Sequence, residues 1–357
     1  MTASLFTRWF AAIISAVFVA FAAPVPASTS PHEDIYATNE ADGTLSVIDA
    51  RSLQVLATIA LGKRPRGLAV SPDGRELFVA LSGSPASGPG VDESRLPPPD
   101  HAADGIGVVD LAQHKVVRTL RGISDPEQLA LSPDGRRLYV ASEDSGKLVV
   151  FDVASGRILA QLAVGGEPEG VGTSADGGLV CATSETNGSV ALIDADANRV
   201  LHLVKVGHRP RNCRYSRDGR RLYVPSEVDA TLSVIDVTRG SVQQTFPLPG
   251  AGARPMGIVL SPDGRFAYLT TGRGGHLLKI DLASGKVDAS VAVGERPWGV
   301  ALSADGRHLY TADGPSDTVS VIDTATMRRS AAVQVGKKPW GVAAGPASTR
   351  ADTASSP

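Results

Sequence analysis

Cysteine is nearly missing from this chain: Cys181 and Cys213 are the only two in 357 residues. C-x-x-C-H does not occur, which excludes attachment of a c-type haem, and C-x-x-C zinc spacing does not occur either. Seven histidines are present, but none has metal-ligand spacing. No Ser-His-Asp or paired-carboxylate signature stands out. No metal, cofactor or catalytic residue is therefore expected. Long apolar runs are also scarce. The single one, Trp9 to Ala23, is about five residues short of the roughly 20 that a bilayer span needs. Arg8 precedes it and Val25-Pro26-Ala27 follows it, so residues 1–27 read as a cleaved secretory signal and the mature chain begins at Ser28. No membrane span is expected in the mature chain. An excess of one charge is lacking too. Removing the signal takes away one arginine and leaves 34 basic against 37 acidic residues. That balance points to neither nucleic acid nor an anionic membrane.

What the chain has is repetition. An apolar segment ending in aspartate recurs seven times, with the aspartates at 49, 110, 152, 194, 236, 281 and 323. A loop proline recurs in step at 65, 126, 168, 210, 255, 297 and 339. The common spacing is 42 residues. A strand-rich period of that length is one four-stranded blade. The fold class is therefore all-β, a seven-bladed β-propeller of antiparallel blades spanning residues 35–345, followed by a disordered tail, 346–357. One blade shows the grammar: QLALS, the turn SPDG, RLYVAS, the turn EDSG, KLVVFD, the turn VASG, then RILAQLAV. These are strands a to d, each bounded by Gly, Pro, Asp or Ser. The repeated aspartate should accept hydrogen bonds from the turn that follows it.

The (S/T)-x-D-G turn occurs six times, not seven. The C-terminal end supplies Pro339-Trp340-Gly341-Val342 as a strand a with nothing after it. The N-terminal end supplies strands b, c and d with no strand a before them. The last blade is therefore built from both ends, which leaves no free edge in the ring. A monomer is expected.

Two apolar columns mark the blade interfaces. One reads Tyr36, Phe78, Tyr139, Cys181, Tyr223, Tyr268, Tyr310 in strand b, and the other Leu68, Leu129, Val171, Cys213, Ile258, Val300, Val342 in strand a. Secretion favours a disulfide between the two cysteines. Both nevertheless occupy core columns, where free cysteine is common, so buried free thiols are the expectation.

Function needs asymmetry. The SPDG-type turns of one face repeat almost unchanged. The d-to-a and b-to-c loops of the other face differ from blade to blade. After the loop proline come Arg66, Glu127, Glu169, Arg211, Met256, Trp298 and Trp340; before it come Arg64, Asp125, Glu167, Arg209, Arg254, Arg296 and Lys338. The b-to-c turns add Glu40, Glu143, Glu185 and Glu227. These columns should ring the mouth of the central channel, either as a salt-bridged rim or as a binding site. Arg66, Glu127, Glu169, Arg211, Trp298 and Trp340 are the candidate ligand- or partner-binding residues. Arginine forks and tryptophan faces suit a small planar anion or an acidic side chain. The first blade carries 19 extra residues within 82–104, a proline-rich insertion on the same face. It reads as a lid, a docking loop or a solvated insertion. His101, His208 and His276 also fall on this face.

The repeats SPDGRRLYVASEDSGKLVVFD and TLSVID resemble the YVTN-type seven-bladed propellers. The series RPRG at 64–67, DPE at 125–127, EPEG at 167–170 with TSE at 183–185, RPR at 209–211 with SE at 226–227, and PWG at 339–341 resembles the bacterial β-propeller proteins associated with pyrroloquinoline-quinone (PQQ)-dependent alcohol catabolism. That resemblance implies a periplasmic, non-catalytic binding or scaffold protein, accessory to quinoprotein alcohol oxidation. Its partner would be a periplasmic quinoprotein dehydrogenase or a small anionic ligand. It does not imply that this chain holds the quinone, because quinoprotein propellers dock their blades through a strand d tryptophan and every strand d here lacks one. The alternative is a propeller enzyme: a lactonase-like hydrolase, or a haem-carrying redox protein related to the nitrite reductase propeller.

Overall fold

Short apolar strands separated by tight turns cannot bury both faces of one small sheet, so sheet must stack on sheet. The computed structural model describes residues 32–86, 92–250 and 252–347. The expected signal peptide, and the expected tail from residue 348, lie outside these residues. The described chain forms seven four-stranded antiparallel sheets. Blade two is typical, with Pro126–Leu131, Arg137–Ser142, Lys147–Asp152 and Ile158–Ala163 as strands a to d. Strands b and c are buried almost end to end. Strand d alternates between half-buried and exposed residues because its outer side meets water.

Seven apolar clusters lie one at each interface between blades. The two sequence columns meet there every time. Tyr139 of blade two shares a cluster with Val171 of blade three, and Tyr310 of blade six shares one with Val342 of blade seven. Each repeated aspartate closes its own turn as expected. Asp152 accepts from the Ser155 backbone N–H at 2.8 Å and Asp323 from that of Thr326 at 2.7 Å.

The ring closes as the termini suggest. Pro339–Pro346 pairs antiparallel with Glu33–Asn39, with Tyr36 opposite Ala343 and Ala37 opposite Val342. The strand runs one residue beyond the expected boundary at 345. The Ala347 N–H then donates to the His32 carbonyl at 2.7 Å.

The expectation of free thiols is overturned. Cys181 and Cys213 form a disulfide across the interface of blades three and four, with Cα atoms 6.5 Å apart. The facing columns explain it. Where other interfaces set a large aromatic ring against an aliphatic side chain, this one sets two small thiols face to face. Blade four needs the tie, because its strand a is only Arg214–Tyr215.

Deleting Lys338 to Gly345 should leave Glu33–Asn39 as an open edge and abolish cooperative unfolding; a truncated protein that melts like the full chain would refute closure. Non-reduced, denatured protein should show no free thiol. Because the bond closes a loop of 32 residues, Cys213→Ala should cost about 3–4 kcal/mol in a denaturant melt.

Candidate functional site

The backbone ahead of strand a aims side chains into the channel mouth. The residue before the loop proline has a left-handed φ in six blades: Arg64 (38°), Asp125 (40°), Glu167 (48°), Arg209 (54°), Arg296 (47°) and Lys338 (51°). None is glycine, so each costs about 1 kcal/mol. A register shift follows the proline in blades one, two, three, six and seven. Such a bulge re-aims the residues within it. Repetition around the ring marks both features as architecture, and what each side chain does depends on its identity.

The mouth opens into a cavity of about 990 Å³ on the variable face. Five of the six candidate residues line it: Arg66, Glu169, Arg211, Trp298 and Trp340. Glu127 does not. It is fully buried behind Arg66 and pairs with that guanidinium. Arg211 is the hub of the opposite side. Its Nε donates to Glu227 at 2.7 Å and its Nη1 to Glu169 at 3.3 Å and, more closely, to Glu185. Arg209 adds a 2.7 Å bond from Nε to Glu185, and Arg64 one of 3.1 Å to Glu40. Burial works against the charge of Arg211, yet Glu169, Glu185 and Glu227 together hold its pKa above the usual arginine value. Both Arg66 and Arg211 are only 8% exposed. They tie neighbouring blades together; Arg211 spends its fork on three glutamates, and Arg66 pairs with Glu127 through Nη1.

The two tryptophans stack on each other, with ring centroids 5.5 Å apart. Arg66 lies 5.0 Å from the Trp340 ring, and Arg211 and Arg296 lie 5.4 and 5.0 Å from that of Trp298. Cation and ring therefore alternate across one wall. The insertion lies over the same cavity. Pro85, Ala86 and Leu96 to Pro99 line it, and Arg64 Nη1 donates to the Ser84 carbonyl at 2.5 Å.

Two lining residues outside the candidate six have chemistry to spare. Arg296 is half-buried and has no carboxylate partner among the described residues. Burial, and then neighbouring Arg273, pull its pKa below the usual value. Glu143 faces the cavity from blade two, with Arg66 no nearer than 3.9 Å. Burial and then Glu169 push its carboxyl up to about 8. Both residues stand in the sequence columns. What the columns could not show is which arginines and glutamates would already be paired.

Asp125, Glu127 and Glu143 bring their carboxylates within 4.8 Å of one another and could in principle hold a metal. Here Arg66 supplies the cation between Glu127 and Glu143, and the Ser82 hydroxyl bonds Asp125. Among the described residues the cavity lining contains no His, Met, Cys or Tyr, so it does not fit a haem iron held by an axial side chain. The three histidines of this face do not converge. His101 and His208 are bound to Asp104 and Asp229, and His276 to the Gly274 carbonyl.

A closed seven-bladed ring with a polar, tryptophan-walled mouth is the class of protein that fold and site define. Residues 2–228 match the SMP-30/gluconolactonase/LRE-like region, and the chain belongs to that family. Residues 227–342 match the cytochrome D1 haem domain. Among curated proteins, antigen Lp49 of Leptospira interrogans is 32% identical over 138 residues, a match spanning 30% of each chain. Among solved structures, a putative 6-phosphogluconolactonase from Bacteroides fragilis superposes with a TM-score of 0.71 at 17% identity, covering 90% of this chain and all of that one. The dihydro-haem d1 dehydrogenase NirN in complex with DHE gives a TM-score of 0.61 at 16% identity, covering 87% of this chain and 74% of that one. These structural likenesses are likenesses of fold.

Arg211→Ala would strand three buried glutamates, so it should cost about 3–5 kcal/mol in a denaturant melt. Glu143 makes stability fall with pH. Its carboxyl keeps its proton in the folded state from its ordinary 4.5 up to about 8, a range over which the unfolded chain has lost it. Its contribution is therefore present at low pH and is lost as pH rises through that window. Glu143→Gln should raise the melting temperature by roughly 2–4 °C at pH 8.5, with the difference gone near pH 4.5.

Proposed function

We propose that the protein is a secreted, periplasmic binding propeller whose mouth takes a small planar anion, in a role accessory to quinoprotein alcohol oxidation. The observation that carries the ligand class is Arg296: a half-buried guanidinium over the Trp298 ring, lining the cavity and without an ion-paired carboxylate among the described residues. Exposed Lys338 adds a second cation to the same side. Glu143, Asp144 and Glu167 line the cavity from blades two and three, so an anion would be held on the tryptophan side. Arg66, Glu127, Glu169 and Arg211 hold the cavity walls in place beneath the ligand. The disulfide, and the leader expected over residues 1–27, support an oxidising compartment. The blade-by-blade resemblance supports the quinoprotein partner.

A second reading, a lactonase-like hydrolase, is favoured by Glu143 and by the family. A cavity-facing carboxyl that titrates near 8 is poised for proton transfer close to neutral pH. As carboxylate it would take a proton from water. The hydroxide equivalent would add to the lactone carbonyl, the ring C–O bond would break, and the leaving oxygen would recover the proton.

Calorimetric titration with nitrate, a planar anion with no apolar body, should give one saturable site, weakened about tenfold, or ~1.4 kcal/mol, in Arg296→Ala at unchanged melting temperature. An unaffected variant would remove Arg296 from the site. A quinoprotein alcohol dehydrogenase should be enriched from periplasm on wild-type protein and not on Arg296→Ala. Acid release from δ- and γ-lactones, rising with pH towards 8 and lost in Glu143→Gln, would instead establish the hydrolase.

A further inference from the structure

The other end of the channel breaks the repeat at a single blade. Four residues after each loop proline stand Ala69, Ala130, Gly172, Arg214, Val259, Ala301 and Ala343. The structure keeps this alignment. Each lies opposite the strand b core column, as Ala69 opposite Phe78, Ala130 opposite Tyr139 and Arg214 opposite Tyr223. Six blades place a small or apolar residue there, and blade four places an arginine. The second position of the following turn repeats the pattern. It is Pro72, Pro133, Ala175, Pro262 and Ala304, but Arg217 in blade four.

Both arginines line one cavity, of about 540 Å³, on the face of the conserved turns. Its walls are the apolar strand a residues Val259, Leu260, Val300, Leu302 and Val342. Strand a of blade four is two residues long and that of blade five three, so space remains beside Arg214. The Arg214 Nε donates to the Ile258 carbonyl at 3.1 Å. No carboxylate pairs with this guanidinium among the described residues, and the Nη side of its fork is left for a ligand. Burial alone, with no charged partner, lowers its pKa. A cation set in an apolar surround without a counter-charge is costly, and such groups are normally paired.

We propose that this cavity binds a monocarboxylate with an apolar body, the carboxylate held by the fork of Arg214 and the hydrocarbon lying along the strand a wall. Arg217, at the exposed rim, would draw the anion in. The site is at the opposite end from the mouth and does not depend on the function proposed for it.

Octanoate is the probe, with 1-octanol and acetate as controls, each titrated calorimetrically into the full secreted chain. Octanoate should saturate a single site and raise the melting temperature. Octanol, which lacks the charge, and acetate, which lacks the body, should each bind at least about tenfold more weakly. Arg214→Met keeps the length of the stem and should lose octanoate binding by a similar factor, while Arg296→Ala at the mouth should leave it intact. Should Arg214→Met fail to fold, Leu302→Trp, which fills the cavity and keeps the arginine, should abolish binding in its place. The proposal fails if octanoate does not saturate, if octanol binds as tightly as octanoate, or if either cavity variant binds octanoate like wild type.

Discussion

No blade of this protein completes a core by itself. The apolar faces of strands b and c are covered only when the next sheet packs on them, and the seven clusters all lie between sheets. A shut ring has no end, so no blade is left with an uncovered apolar face. The antiparallel pairing of Pro339–Pro346 with Glu33–Asn39 shuts it. The arginines and tryptophans of the channel mouth sit at the start of strand a, and in blade seven that strand is the C-terminal segment Pro339–Pro346. Trp340 is held in place by the same hydrogen bonds that close the fold.

Against that frame the mouth is an exercise in charge compensation. The two mouth columns carry six arginines: Arg64, Arg66, Arg209, Arg211, Arg254 and Arg296. Folding brings a glutamate to four of them: Glu127 to Arg66, Glu40 to Arg64, Glu185 to Arg209, and three to Arg211. Burying such pairs costs desolvation and returns geometry. The returns here are fixed blade-to-blade spacing and a rigid rim. Chemistry is left to the groups the compensation misses. These are Arg296 on the tryptophan wall and Glu143 on the acidic one, joined at the far end of the channel by Arg214. All three are found by asking where a charge lacks its partner.

The disulfide belongs to the same logic. Blade four has the shortest strand a, carries the hub Arg211 and places Arg214 in the lower cavity. Cys213 lies between those two residues and anchors the segment to blade three. A covalent tie stands where hydrogen-bonded pairing is thinnest.

Period, composition and turn chemistry determined the architecture from sequence alone, because a propeller repeats one local instruction seven times. The count of blades, the composite last blade, the turn aspartates and the two interface columns are all local or periodic features of the sequence. Those columns even placed Cys181 opposite Cys213. The tertiary structure decided what depends on distances between side chains from different blades. Whether two facing thiols join, whether an arginine meets a glutamate or a cavity, and whether Glu143 sheds its proton at 4.5 or near 8 are not local questions. Arg64 and Arg296 stand in the same column of sequence; one is paired with Glu40, and the other meets the face of Trp298 with no carboxylate partner among the described residues. Long polar side chains reach across blade boundaries that periodicity cannot see, and only the packed ring shows what each of them finds there.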